Sequence, residues 1–200
     1  TTPTFMHRHG ITDIDGAIKK LSKMVPELQV EALGETPDKI VAEAERIIGL
    51  GLERPPVFKV PISNDGVKAC HRLRARGYRV NVHLIYTLNQ AYMAMEAGAS
   101  FICPLAGRMQ DQGHDAIQLF EQCVDVIDRY GYDSKVMFSS VRHAEHVRDD
   151  LHRALVGEDG QVHVGAGAVA LAVARVHHHR GQLISIDAPL AHLLQGVAGQ

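Results

Sequence analysis

The chain has 200 residues, 46% of them hydrophobic, and a formal net charge of -2, which supports one sizeable core and one domain over residues 1–200 rather than two. A balanced charge with a sequence pI near 6.6 offers no field of one sign to hold a nucleic acid or an anionic membrane, so a small molecule is the expected partner. Three cysteines without zinc-pair spacing, no apolar run near the roughly 20 residues of a spanning helix, and no signal-peptide plan in residues 1–10 together lead us to expect a cytoplasmic protein.

From about residue 14 to 148, short apolar runs rich in β-formers alternate with stretches of helical period, the pattern of repeated βα units around a parallel sheet. In chain order the pattern predicts a helix over 14–23, a strand over 28–32, a helix over 37–49, a strand over 57–61 and a helix over 65–77. A strand over 79–84, a helix over 88–98, a strand over 100–104, a helix over 114–130, a strand over 135–140 and a helix over 144–155 follow. Thr36-Pro37 supplies a cap with proline at the first helical position, and Gly77, Gly98 and Gly131 stand where helices should stop. After about Gly157 the composition changes; residues 158–200 suggest a strand over 161–164 with helices beyond.

Residues two apart in a strand share a face. In the first strand Leu28, Val30 and Ala32 oppose Gln29 and Glu31; in the second Phe58 and Val60 oppose Val57 and Lys59; in the third Val80, Val82 and Leu84 oppose Asn81 and His83. Burying a carboxylate, an ammonium, an amide and an imidazole on neighbouring strands is costly unless they satisfy one another or a ligand, so a polar site is the economical explanation.

Lysine within an apolar parallel strand is rare. If Lys59 points inward, desolvation favours the neutral amine that carbonyl attack requires, and the iminium so formed is an electron sink; the plainer reading is a strand-end lysine that reaches solvent. Glu31 fits a base or water-orienting acid, or simply a counter-ion to that amine. His83 fits a proton relay or a hydrogen-bonded structural histidine. Arg108 and Arg142 follow strand ends closely and suit phosphate, with Ser140 as a further contact, although lone arginines in loops are usually solvated. Adjacent His177-His178-His179 do not all face one ion from a regular element, and a lone Gly165-Ala166-Gly167 defaults to a tight turn.

These residues together resemble the transaldolase family, in particular its smaller branch that includes fructose 6-phosphate aldolases. Val57-Phe58-Lys59-Val60-Pro61 is similar to the family's Schiff-base lysine motif, Pro104 to Arg108 to its phosphate-arginine segment, and Ser139 to Arg142 to its Ala-Ser-Phe-Arg segment, in the same order and spacing from residue 1 to about 155. The resemblance implies a (β/α)8 TIM barrel and a class I aldol mechanism with no cofactor and no metal. Lys59 would form a Schiff base with a ketose phosphate, the bond between C3 and C4 would break, and the bound dihydroxyacetone enamine would meet an aldose phosphate, a reaction of the pentose phosphate pathway. Glu31 resembles the acid of a water relay, Asn81 the amide that contacts substrate, and Ser140, Arg108 and Arg142 the phosphate ligands.

Several positions depart from the family pattern. Thr2 stands where a substrate-binding asparagine is expected, His83 where the relay threonine is, Cys103 where larger members carry a serine, and Leu105 where some relatives carry an aromatic residue. An imidazole at the relay keeps proton transfer available but enlarges the group, so the orienting water must move or be displaced. The family's first strand, with its general-base aspartate, would precede Thr1, so the expectation is a barrel lacking its first strand in this chain, with an N-terminal segment ahead of it. Relatives form symmetric oligomers, which implies a homo-oligomer. The competing functions are a fructose 6-phosphate aldolase-like lyase, a sugar-phosphate-binding barrel without turnover, a histidine-dependent metal lyase, and another Schiff-base barrel such as a deoxyribose-phosphate aldolase.

Overall fold

Side-chain caps start most of the helices that follow the strands. In the computed structural model, which describes residues 2–140 and 163–164, Thr36 accepts from the Lys39 amide at the head of α3 (Pro37–Ile48), with α1 (Pro3–Arg8), α2 (Ile14–Met24) and β1 (Gln29–Glu31) before it. Ser63 caps α4 (Asn64–Ala75) directly after β2 (Val57–Pro61), and Thr87 closes a reciprocal capping box on α5 (Leu88–Glu96) after β3 (Val80–Ile85). β4 (Phe101–Pro104) leads into the short α6 (Ala106–Asp111), Asp115 caps α7 (Ala116–Tyr130), and β5 (Lys135–Phe138) and β6 (His163–Val164) follow. Gly131 ends α7 in the left-handed conformation at φ +68°, as its position in the pattern predicts.

All strand pairings are parallel, and the described strands lie in sequence order β1-β2-β3-β4-β5-β6. Right-handed crossovers that never reverse direction lay their helices on one face of the sheet. The large apolar cluster joins Val30, Phe58, Val60, Val80 and Val82 to helix residues such as Ile40, Leu73 and Ala94. The other face carries a small separate cluster of Val57, Phe101, Cys103 and Met137, to which no described helix contributes. Gly66 lets the first turn of α4 close on the end of β2, because a Cβ there would collide with the Pro61 carbonyl oxygen.

The structure departs from the sequence pattern in places. Leu84, expected on the helix side, takes φ +64° at a register shift between His83 and Ile85, and Ile85 fills the buried helix-facing place instead. The short helices α1 and α6 were not expected. Six strands are described, and the eight-stranded closure is not among the described residues. The helix expected over 144–155 and the segments around Gly165-Ala166-Gly167 and His177-His178-His179 lie outside them. Among the described residues no helix is long and apolar enough to cross a membrane.

The two faces predict opposite tolerances in β2. Phe58→Ala, which empties a fully buried helix-facing site, should cost about 3–5 kcal/mol, whereas Lys59→Met on the other face should stay within about 1 kcal/mol of the wild type in urea denaturation. Equal losses for the two variants would refute the assignment of faces.

Candidate active site

Because β2 lies between β1 and β3, the parallel register sets Glu31 beside Lys59 and Lys59 beside Asn81, at strand spacings of about 4.8 Å. One step towards the carboxyl ends, His83 stands beside Pro61 on one side and Cys103 on the other. Lys59 is half-buried, while its neighbours Phe58 and Val60 are wholly enclosed on the helix side. Lys59 therefore belongs to the face to which no described helix contributes.

Asn81 is fully buried and donates from Nδ2 to Gln29 Oε1 at 2.7 Å and to Met137 Sδ at 3.3 Å, yet its Oδ1 has no hydrogen-bond partner. His83 Nε2 lies 3.0 Å from Glu31 Oε1, with side-chain exposures of 9% and 12%. The imidazole and the carboxylate are each other's close polar partners, across β2. The close partner of Glu31 is His83, and the Lys59 charge also acts on its carboxylate.

Burial lowers the His83 pKa below the ordinary histidine range, and the Lys59 charge adds to this, while the Glu31 contact only partly opposes it. The imidazole is therefore neutral near pH 7. For Glu31 burial works upward, but the His83 contact and the Lys59 charge work the other way, and its carboxyl lies below the usual range and is ionised. Burial raises the Cys103 thiol, which has Ser139 and Asn81 beside it, and leaves it protonated.

The β4 and β5 ends form the other side of the site. Ser139 donates to the Pro104 carbonyl at 2.7 Å and its own carbonyl accepts from the Ala106 amide at 3.1 Å, which ties the start of α6 to the end of β5. Arg108 is exposed on α6 rather than in a loop, and Ser140 takes the left-handed conformation at φ +61°. Arg142 lies outside the described residues. Thr2, whose carbonyl accepts from the Met6 amide, borders a cleft that Glu31 also lines. Among the described residues no group of three or more His, Cys, Asp or Glu is placed to hold a metal ion.

A family model described as Transaldolase/Fructose-6-phosphate aldolase matches residues 4–160. The chain belongs to the transaldolase family. A probable transaldolase of Streptococcus equi subsp. equi (strain 4047) is 36% identical over 148 residues, covering 74% of this chain and 68% of that protein. A probable transaldolase of Streptococcus pyogenes serotype M5 (strain Manfredo) matches to the same extent. One from Maridesulfovibrio salexigens is 32% identical over 159 residues, covering 80% of this chain and 72% of that protein.

Gln29, Met137 and Ser139 were not singled out from the sequence. Gln29 carried a usable signal, since it shares a strand face with Glu31; the contacts of Met137 and Ser139 depend on which strands become neighbours.

Both depressed groups make acid destabilising. His83 resists the proton that the unfolded chain accepts near pH 6.5, so its contribution is present above that pH and lost as pH falls below it; the Glu31 contribution is lost below about 4.5. The wild-type urea midpoint should decline between pH 7 and 5, and His83→Asn should flatten that decline. An unchanged decline in the variant would assign it to other groups.

Proposed function

We propose that the chain transfers a dihydroxyacetone unit between sugar phosphates through a Schiff base on Lys59, the transaldolase reaction. The observation that carries this reading is the placement of Lys59 on the helix-free face, with Glu31 and Asn81 in register on either side. Family membership supports it, and relatives named probable transaldolase agree in class. In this reading the parallel strands belong to a (β/α)8 barrel, and the uncovered face is its interior.

The amine lone pair of Lys59 attacks the ketone carbon of a ketose phosphate, and loss of water gives the iminium. The bond between C3 and C4 then breaks. Its electron pair flows to the iminium nitrogen, the C4 hydroxyl proton leaves to a base, and an aldose phosphate departs while the enamine stays on Lys59. Asn81, with Oδ1 unsatisfied among the described residues, is suited to accept from a substrate hydroxyl. Cys103 stands beside His83 in register, Thr2 borders a cleft that Glu31 also lines, and Arg108, Ser140 and Arg142 follow strand ends in the sequence, where a phosphate would sit.

Borohydride reduction in the presence of fructose 6-phosphate should leave a mass adduct on Lys59, and Lys59→Arg should lose both the adduct and turnover. Exchange that requires erythrose 4-phosphate marks a transferase; release of free dihydroxyacetone without an acceptor marks a lyase. A folded sample that traps no adduct would defeat the proposal.

A further inference from the structure

The Asn81 amide is held by one of its two limbs. Nδ2 donates to Gln29 Oε1 at 2.7 Å and to Met137 Sδ at 3.3 Å, and the Cys103 sulfur lies beside the same amide. A thioether accepts and does not donate, so turning the amide over would set Oδ1 against two acceptors and lose both bonds. Oδ1, on a side chain with no exposure, has no hydrogen-bond partner among the described residues.

Gln29 is itself kept from turning over. Its Nε2 donates to Glu27 Oε1 at 3.4 Å, and Arg79 donates to the other oxygen of that carboxylate. An ion-paired carboxylate only accepts, so Gln29 gives its amine to Glu27 and its carbonyl oxygen to Asn81. Arg79 lies in turn over the Phe101 ring, 4.9 Å from its centroid. A string of polar contacts thus runs from the half-exposed Arg79 to the buried Asn81, and each link has one direction. Gln29 stands beside Val57, two residues before Lys59, so it acts on the site through Asn81.

We infer that Gln29 is a positioning residue that fixes the Asn81 amide so that its carbonyl oxygen, and not its amine, is offered to the substrate on Lys59, an inference that rests on the Schiff-base reading above. The site then selects a group that donates. A ketose carries a hydroxyl on each carbon beside its carbonyl, and such a hydroxyl satisfies Oδ1 as it enters. An analogue with hydrogen in its place leaves a buried acceptor unpaired, which a site of this kind penalises.

Cyanoborohydride trapping on Lys59 of the full chain, measured with dihydroxyacetone and with acetone, separates positioning from folding. The wild type should prefer dihydroxyacetone. Gln29→Met should reduce that preference about tenfold, through the half-saturating concentration of dihydroxyacetone, while acetone, which has no hydroxyl for Oδ1, should be trapped within about twofold of the wild-type rate. Gln29→Glu, which still accepts from Nδ2, should keep the preference to within about threefold. Asn81→Ala should lose the preference, and adding Gln29→Met to it should change nothing further, because the two residues act as one unit. A wild type without the preference, an unchanged preference in Gln29→Met, or equal slowing of both ketones would overturn the assignment and leave the Schiff base standing. Absence of any wild-type adduct with either ketone would remove both.

Discussion

The register that sets β2 between β1 and β3 governs the site. Side chains alternate faces with a period of two, so a slip of one residue would carry Lys59 into the helix layer and Phe58 out of it. Hydrophobic burial holds the register in place. Phe58 and Val60 are fully enclosed among helix residues, and fully burying side chains of this size is worth about 1.5–3 kcal/mol each. Driving an ammonium into the same layer would add a desolvation penalty of several kcal/mol. The apolar face thus positions the polar one, and Lys59 is aimed by residues that take no part in chemistry.

Within that frame, charge is distributed by what each group can tolerate. Burial is the largest influence on His83 and keeps its imidazole neutral, and the Lys59 charge works in the same direction. Burial opposes ionisation of Glu31, but its contact with His83 and the Lys59 charge work the other way, and the carboxylate persists. The outcome is a proton acceptor, an anion and a primary amine on three neighbouring strands. Environments that separate the protonation states of adjacent groups are what acid–base chemistry at one pH requires.

Alternation made most of this legible in advance. Lys59, Asn81, His83 and Glu31 each fell on the face opposite to an apolar pair, and the structure places all four together. Alternation within a strand says nothing of how neighbouring side chains meet, which is why the close contact of Glu31 with His83 and the Gln29–Asn81 bond went unseen. The short α1 and α6, six residues each, give too few turns for a period to show. Arg108 consequently read as a loop residue.

Leu84 shows how the two faces of one strand are reconciled. His83 must stay beside Cys103 on the helix-free face, while a large apolar residue is wanted against the helices shortly after it. Strict alternation would give that place to Leu84. The chain instead skips a residue: Leu84 takes the left-handed conformation, at a cost of about 1–2 kcal/mol, and Ile85 pairs with Pro104 and becomes fully buried. Burial of Ile85 offsets a cost of that size. Strain of this kind persists where surrounding structure over-determines it, and here it lies directly after the imidazole, at the end of the sheet where Ser140 shows the same backbone sign. The irregularity ends the regular ladder of β3 just beyond His83, so the position of the imidazole is set by packing on both sides of the strand.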